Sequence, residues 1–447
     1  MRSPLPAVQD TFMFAFIIRR FFTLLLTMVI VSIFVFAITE ASPGNVARNV
    51  LGAFITQEQE DSFLKQMGLD KPAYVRYLFW LFGSDMWAES KVGMNLVSTE
   101  TEDGFLEWWA VFELTDDGSL IRWRLEGDDL IAELKSPDGD VIEYTDNLRW
   151  EVGKDGISRF WGVDNRNSVV LWEKGSDIKV WTFVPGTGWM ETTGGPAEYI
   201  PLMKGFVRGD PGISLRTGRP VANSLFIRLR NSLVLAGIAF AIVMPLALAL
   251  GLVAGVKEGS LRDRILSTGG IMFSVTPEFA TGIFLILIMA VWLGIVPGAT
   301  VFGEDAPWSR PDMLILPVLT LTLIELGYIL RITRASMVDV MKSPYIRTAY
   351  LKGLPQGRVV MVHAVKNALI APITVVMLHV NWLLGGIVIV EVVFGYPGLG
   401  KYLLDSALYK DVNALEAGAL VMVMVAVGTQ LIADIIYTFL NPRIRYD

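Results

Sequence analysis

Residues 347–372 read RTAYLKGLPQGRVVMVHAVKNALIAP. This basic, amphipathic stretch lies between two runs, 313–330 and 373–393, that are apolar enough to cross a bilayer. Ser343 and Pro344 open it, and proline suits a first helical turn. Tyr345, Thr348, Ala349 and Lys352 recur at helical spacing, which predicts that they share one face. Small side chains at Thr348 and Ala349 allow a partner to approach closely. Gly353 stops the helix and Pro355 forbids its continuation. A second helical pattern runs from Gly357 into the next apolar run, with Arg358 and Lys366 near the membrane surface. Alone, this pattern fits an amphipathic helix lying on lipid headgroups. The competing reading is a structured loop on which a soluble partner docks.

Working outward, six stretches approach the roughly 20 apolar residues that a spanning helix needs: 21–39, 232–256, 271–294, 313–330, 373–393 and 415–440. The first is longer than the apolar core of a secretory signal, so a retained helix is expected. Lys and Arg set the orientation. Arg19 and Arg20, the Lys257–Arg262–Arg264 loop, the basic 347–372 region and the tail with Arg443 and Arg445 all fall on one side, the cytoplasm. The 297–311 loop, with Glu304 and Asp305, falls on the other. Arg228 and Arg230 dissent and are expected to snorkel at the outer interface.

The chain has 447 residues, 53% of them hydrophobic, above the 45–50% of an ordinary soluble domain. The formal net charge of −7 hides two populations. Residues 84–204 hold 24 acidic and 11 basic side chains, so this region is acidic and water-facing, while the remainder is basic. Between Glu107 and Thr193 short alternating runs are broken by Asp-Gly and similar turn pairs, the signature of hairpins. Their spacing predicts a sandwich or a small barrel. Cysteine is absent and histidine occurs twice, at His363 and His379. There is no zinc-protease motif and no phosphate-binding loop. The sequence therefore carries no recognisable hydrolase or ATPase centre. The expected fold is an all-α polytopic membrane protein of six transmembrane helices with an inserted all-β domain on the extracytoplasmic side. The expected divisions are 1–83, 84–204 and 205–447.

Ala349-x-x-x-Gly353 resembles the cytoplasmic signature of binding-protein-dependent ABC importer permeases, and the chain is similar to the dipeptide, oligopeptide and nickel branch of that family. Further segments match in order: MGLDKP at 67–72, RGDPGISLRTGRPV at 208–221, RLRNSLVLA at 228–236, LPVLTLTLIELGYILRITRASMVDVM at 316–341, His363 and Asn367 followed by Pro372, VEVVFGYPGLG at 390–400, and DIIYTFLNPRIRY at 434–446. The resemblance covers everything but the insert. It implies a second homologous permease as partner, two ATPase subunits that bind ATP and magnesium, a soluble binding protein outside, and an inner-membrane location with both termini cytoplasmic. The chain itself would hold no cofactor and no metal, and would bind no nucleic acid. The ATPases would receive the loop at about 342–372 through Tyr345, Arg347, Thr348, Ala349, Lys352, Gly353, His363 and Asn367. The sequence departs from the family at Pro211, at Lys410-Asp411-Val412-Asn413 and at Asn441-Pro442-Arg443, which leaves the substrate open.

Ionisable groups inside spans are costly and often functional. Glu325, mid-span, either lines a translocation path or pairs within the bundle. Pro277, Glu278 and His379 are further path candidates, although proline bends many membrane helices and a lone histidine is commonly a satisfied interior group. Glu391 and Asp434 are expected to hydrogen-bond helix ends. His363 is expected to hold the loop together with Asn367. Eight of thirteen tryptophans lie between Glu107 and Thr193. They fit a core, a stacking platform or a docking surface for the binding protein. Trp108 and Trp109 are adjacent in one strand, so one of them is expected to be exposed. The competing functional class is a membrane-anchored receptor that senses a ligand through the β-domain.

Overall fold

The computed structural model describes residues 6–42, 46–52, 54–102, 105–111, 118–126, 129–144, 151–164, 167–174, 179–184, 188–300 and 306–440. Glu304, Asp305, Arg443, Arg445 and the triplet 441–443 lie outside them, as does the Asp434 side chain. The chain forms two compact units. One comprises Met1–Ser32, Phe226–Leu404 and Gly418–Asp447; the other comprises Ile33–Leu225 and Asp405–Ala417.

Helix α1 (Pro6–Ala41) carries the first apolar stretch. In the second unit follow α2 (Val46–Leu51), α3 (Gln57–Gln66), α4 (Ala73–Phe82) and α5 (Asp85–Val92). The start of α3 is set by a capping box: Thr56 Oγ accepts from Gln59 N, and the Gln59 side chain accepts from Thr56 N at 3.0 Å. Strands β1 (Leu96–Glu100), β2 (Leu106–Val111), β3 (Leu120–Glu126), β4 (Asp129–Lys135) and β5 (Val141–Tyr144) make an antiparallel meander in sequence order. A second sheet holds β6 (Glu151–Val152), β7 (Ser158–Val163) and β8 (Ser168–Lys174). Strands β9 (Lys179–Val184) and β10 (Gly188–Thr193) pair as a separate hairpin, and β11 (Pro196–Pro201) returns to pair with β8.

The two larger sheets share one core. Trp108, Ile121, Trp123 and Ala132 meet Val163, Val170, Trp172 and Tyr199, with Ala88 of α5 closing one side. This is the sandwich alternative rather than a closed barrel. Two strands lie outside the 107–193 stretch. β1, LVSTE, has no strong alternation. β11 begins and ends with proline and is tolerated because it lies at a sheet edge, where a missing N–H breaks no ladder.

The expected exposure of one of Trp108 and Trp109 is not found, since both are buried. Trp108 faces the inter-sheet core. Trp109 points to the opposite face, where Arg122 and Lys135 lie over its ring at 4.2 and 5.2 Å. Arg122 is tied in turn to Glu133 at 2.6 Å. Long charged side chains thus cover with their cationic ends what alternation alone would leave open.

The helical unit continues through α6 (Val221–Val256), α7 (Leu261–Val275), α8 (Glu278–Leu285), α9 (Ile315–Met341), α10 (Pro344–Leu351), α11 (Gln356–Arg358), α12 (Val365–Ala368), α13 (Ile370–Phe394), α14 (Leu399–Tyr409) and α15 (Val412–Leu440). π-Helical bonding extends α8 through Ile286–Trp292 and joins α11 to α12 through Val359–Ala364. By length and composition four stretches can cross a bilayer: Ile18–Ala41, Val221–Val256, Pro311–Met341 and Val412–Ala433. Counting each bent pair as one span gives up to seven.

The expected span 271–294 carries a bend at the proline that the sequence marks. It is broken at Thr276–Pro277 into two arms bent by 107°. Pro277 cannot donate, and it drives Thr276 out of the helical region to φ −74°, ψ 130°. Helix α9 is the hub of this unit, packing against α7, α8 and α13. Small residues bring backbones together around it, as they do where lipid offers no hydrophobic driving force. A Cβ on Gly327 would lie 1.9 Å from Gly270 O, and one on Gly251 would lie 2.5 Å from the Thr333 side chain.

Candidate functional site

The loop after α9 folds as two short arms. Helix α10 ends in a Schellman motif: Gly353 N donates to Tyr350 O at 2.9 Å, and Leu354 N donates to Ala349 O at 3.4 Å. Gly353 has φ +78°, the left-handed value that glycine adopts without strain. Its α-carbon looks into open space. The arm through α11 and α12 then leads into α13 with a 45° bend.

The predicted common face of Tyr345, Thr348, Ala349 and Lys352 is split. Ala349 turns inward beside Ile346 and joins Met337, Val359, Ala364 and Ala368 in a small core. Burying Ile346 contributes about 1.5–3 kcal/mol and seats α10 on the unit. Tyr345, Arg347, Thr348 and Lys352 face outward. Leu351 joins them at 80% exposed. The Asn367 side chain links the arms by donating to the Tyr345 hydroxyl at 2.9 Å, and it also reaches the His363 carbonyl at 3.2 Å. His363 therefore meets Asn367 through its backbone and not its ring. Sequence spacing alone singles out neither Ile346 nor Leu351; the apolar pair Ile346 and Ala349 at i and i+3, with Leu351 at i+5 and off that stripe, is the signal that marks the buried side.

A second polar cluster lies among the helices. Glu325 on α9 is buried, and its Oε2 lies 3.0 Å from Nδ1 of His379 on α13. The Tyr328 ring sits 4.3 Å from the imidazole. The other carboxyl oxygen, Oε1, and the Thr322 hydroxyl are buried without a hydrogen-bond partner. The structure thus pairs two residues that the sequence considered separately, and adds Tyr328 and Thr322 at i+3 and i−3 from Glu325. Pro277 and Glu278 stand at the break between α7 and α8, with the Glu278 carboxylate beside Gly386 of α13.

Two further polar ties hold the unit. Asp263 of α7 takes a bidentate contact from Arg334 of α9 at 2.7 and 2.8 Å. Glu391 accepts from Ser232 Oγ and from Lys401 N at 3.0 Å, while Ser232 Oγ accepts from Leu399 N at 2.7 Å. Glu391 thus satisfies the start of α14, as expected of a helix-end residue. Arg230 places its guanidinium 5.4 Å from the Trp308 ring. Among the described residues no three His, Cys, Asp or Glu side chains gather as a metal site.

The family described as binding-protein-dependent transport system inner membrane component matches residues 247–446, and its N-terminal companion matches 13–94. The dipeptide transport system permease protein of Escherichia coli strain K12 is 30% identical over 318 residues, covering 66% of this chain and 88% of that one. The chain belongs to this family of inner-membrane transport components. Similar relatives include the oligopeptide transport system permease protein of Bacillus subtilis strain 168, 33% identical over 56% of this chain and 80% of its own length. Another is the dipeptide permease of Alkalihalophilus pseudofirmus, 32% identical over 56% and 81%. A crystal structure of an amino acid ABC transporter with histidines matches 50% of this chain and 94% of that one at 14% identity and a TM-score of 0.38. The two family matches leave 95–246 uncovered, and β1 to β11 lie wholly within that gap.

Proposed function

We propose that this chain is a permease subunit of an ATP-driven importer of peptides or closely related solutes. It would pair with a second homologous permease, receive substrate from an outer binding protein and be driven by two ATPase subunits. In this reading six spans place both termini in the cytoplasm and the β-insert outside. The observation that carries it is the loop at 342–372. α10 is seated by Ile346 and Ala349 yet presents Tyr345, Thr348, Leu351 and Lys352 to solvent. An apolar side chain exposed among basic and small ones fits a protein partner better than a headgroup layer alone, and a rigid two-arm loop can transmit a push. The peptide class follows from the chain's similarity to the dipeptide and oligopeptide permeases.

Co-purification tests this reading. Two ATPases should accompany the tagged chain, and their hydrolysis should be coupled to uptake of a labelled dipeptide in reconstituted vesicles. A chain that arrives without ATPases, with uptake unaffected by Gly353→Asp, would instead favour the receptor reading. Deleting the strands from Glu107 to Thr193 asks what the insert adds: unchanged transport would make it dispensable for import.

A further inference from the structure

The unit that carries the strands holds a partly open cavity of about 710 Å³, within the range of about 300–1,000 Å³ usual for small-molecule sites. Phe63 of α3, Trp108 of β2 and Tyr199 of β11 supply apolar walls, and Glu100, Lys204 and Asn413 supply polar ones. The charges around it differ in their commitments. Arg208 is engaged by Asp85 at 2.5 and 2.8 Å, and that carboxylate holds the guanidinium above its ordinary pKa. Asp210 accepts from Lys204 N at 2.8 Å and from Gly212 N at 2.9 Å. The Lys204 ammonium and the Glu100 carboxylate, by contrast, make no ion pair among the described residues.

The walls are held in place before any ligand arrives. Asn167 accepts from Trp108 N at 3.0 Å, donates to Leu106 O at 2.5 Å and takes Leu202 N on its carbonyl at 2.8 Å. Asp411 accepts from Ser214 Oγ and from Leu215 N at 3.1 Å. Lys204 is half-buried, and Asp210 fixes its backbone. A preformed apolar cavity with one uncommitted cation and one uncommitted anion on its walls suits a ligand of matching, opposite charges.

We propose that this cavity binds a short peptide with free ends, its carboxylate meeting Lys204, its ammonium meeting Glu100 and an apolar side chain lying against Trp108 and Tyr199. The choice of a peptide among zwitterions rests on the peptide-import reading. The site itself is separate from the coupling loop and from Glu325 and His379.

Calorimetry on the purified full chain, without binding protein or ATPases, tests it with alanyl-phenylalanine as the probe. Saturable binding is expected. N-acetylation and C-amidation should each weaken it about tenfold through loss of a charge-assisted contact. Lys204→Met should weaken the free peptide about tenfold but leave the amide unchanged, and Glu100→Gln should do the same with respect to the acetylated probe. No saturable heat, equal binding of the blocked probes or insensitivity to both variants would overturn the site. The blocked probes act on the unmodified chain, so a variant that misfolds does not remove the test. Uptake of the same dipeptide by the assembled transporter is measured in parallel. Uptake without binding to the isolated chain overturns the cavity site alone, whereas binding without uptake overturns the peptide-import reading alone.

Discussion

Glu325 Oε2 and His379 Nδ1 lie 3.0 Å apart, while Glu325 Oε1 is buried with no partner. Removing one member of a buried pair typically costs about 3–5 kcal/mol, whereas replacing both by apolar groups is often neutral. His379→Leu should therefore lower the melting temperature of the purified protein markedly. Glu325→Gln keeps a polar atom for the imidazole and should cost about 1 kcal/mol. The double variant Glu325→Leu/His379→Leu should melt above His379→Leu alone. A double variant less stable than either single one would show that the two side chains act independently.

Gly353 offers a cleaner separation of fold from coupling. Its φ of +78° disfavours any residue with a Cβ, yet the surrounding space is open. Gly353→Ala should cost about 1 kcal/mol, confined to the end of α10, and should reduce transport-coupled ATP hydrolysis with membrane insertion unchanged. Gly353→Asn should be milder, because asparagine enters the left-handed region more readily. Coupled hydrolysis in vesicles and the yield of inserted protein are the two readouts.

Gly327 is constrained by contact and not by φ. A Cβ there would lie 1.9 Å from Gly270 O, so Gly327→Ala must push α7 away from α9. The expected cost is about 1–3 kcal/mol or more, read as lost thermal stability or lost expression. Gly385→Ala, where nothing lies within 4 Å, is the control and should behave as the unmodified protein.

The covering of Trp109 can be tested in the insert. Arg122→Ala removes the guanidinium lying 4.2 Å from the indole and its tie to Glu133. Stability should fall by about 0.5–2 kcal/mol, and acrylamide should quench more of the tryptophan emission. Unchanged quenching would mean that Lys135 suffices as the cover.

The apolar stretches that became α1, α6, α9, α13 and α15 were legible because hydropathy over a window needs no tertiary information. The break at Pro277 was visible as a residue but not as an angle, since a proline bends or breaks a helix according to how its neighbours satisfy the freed carbonyls. The Asp-Gly turns marked the strands between them, while β1 and β11 escaped because their residues carry little alternation and owe their place to the partners they pair with. Helical spacing placed Tyr345, Thr348, Ala349 and Lys352 on one face, but the side on which Ala349 lies depended on Ile346, whose burial is a tertiary fact. Glu325 and His379 were each conspicuous; that they meet could not follow from a separation of 54 positions.

Ser84 N donates to Met203 O at 3.0 Å, and Met203 N donates back to Ser84 Oγ at 3.1 Å. The chain therefore leaves for the strands and returns from them through a single stitched gate. The ends of the strand-bearing segment are thus held side by side, and the rest of the unit meets it again where Lys71 pairs with Glu198 at 3.5 Å.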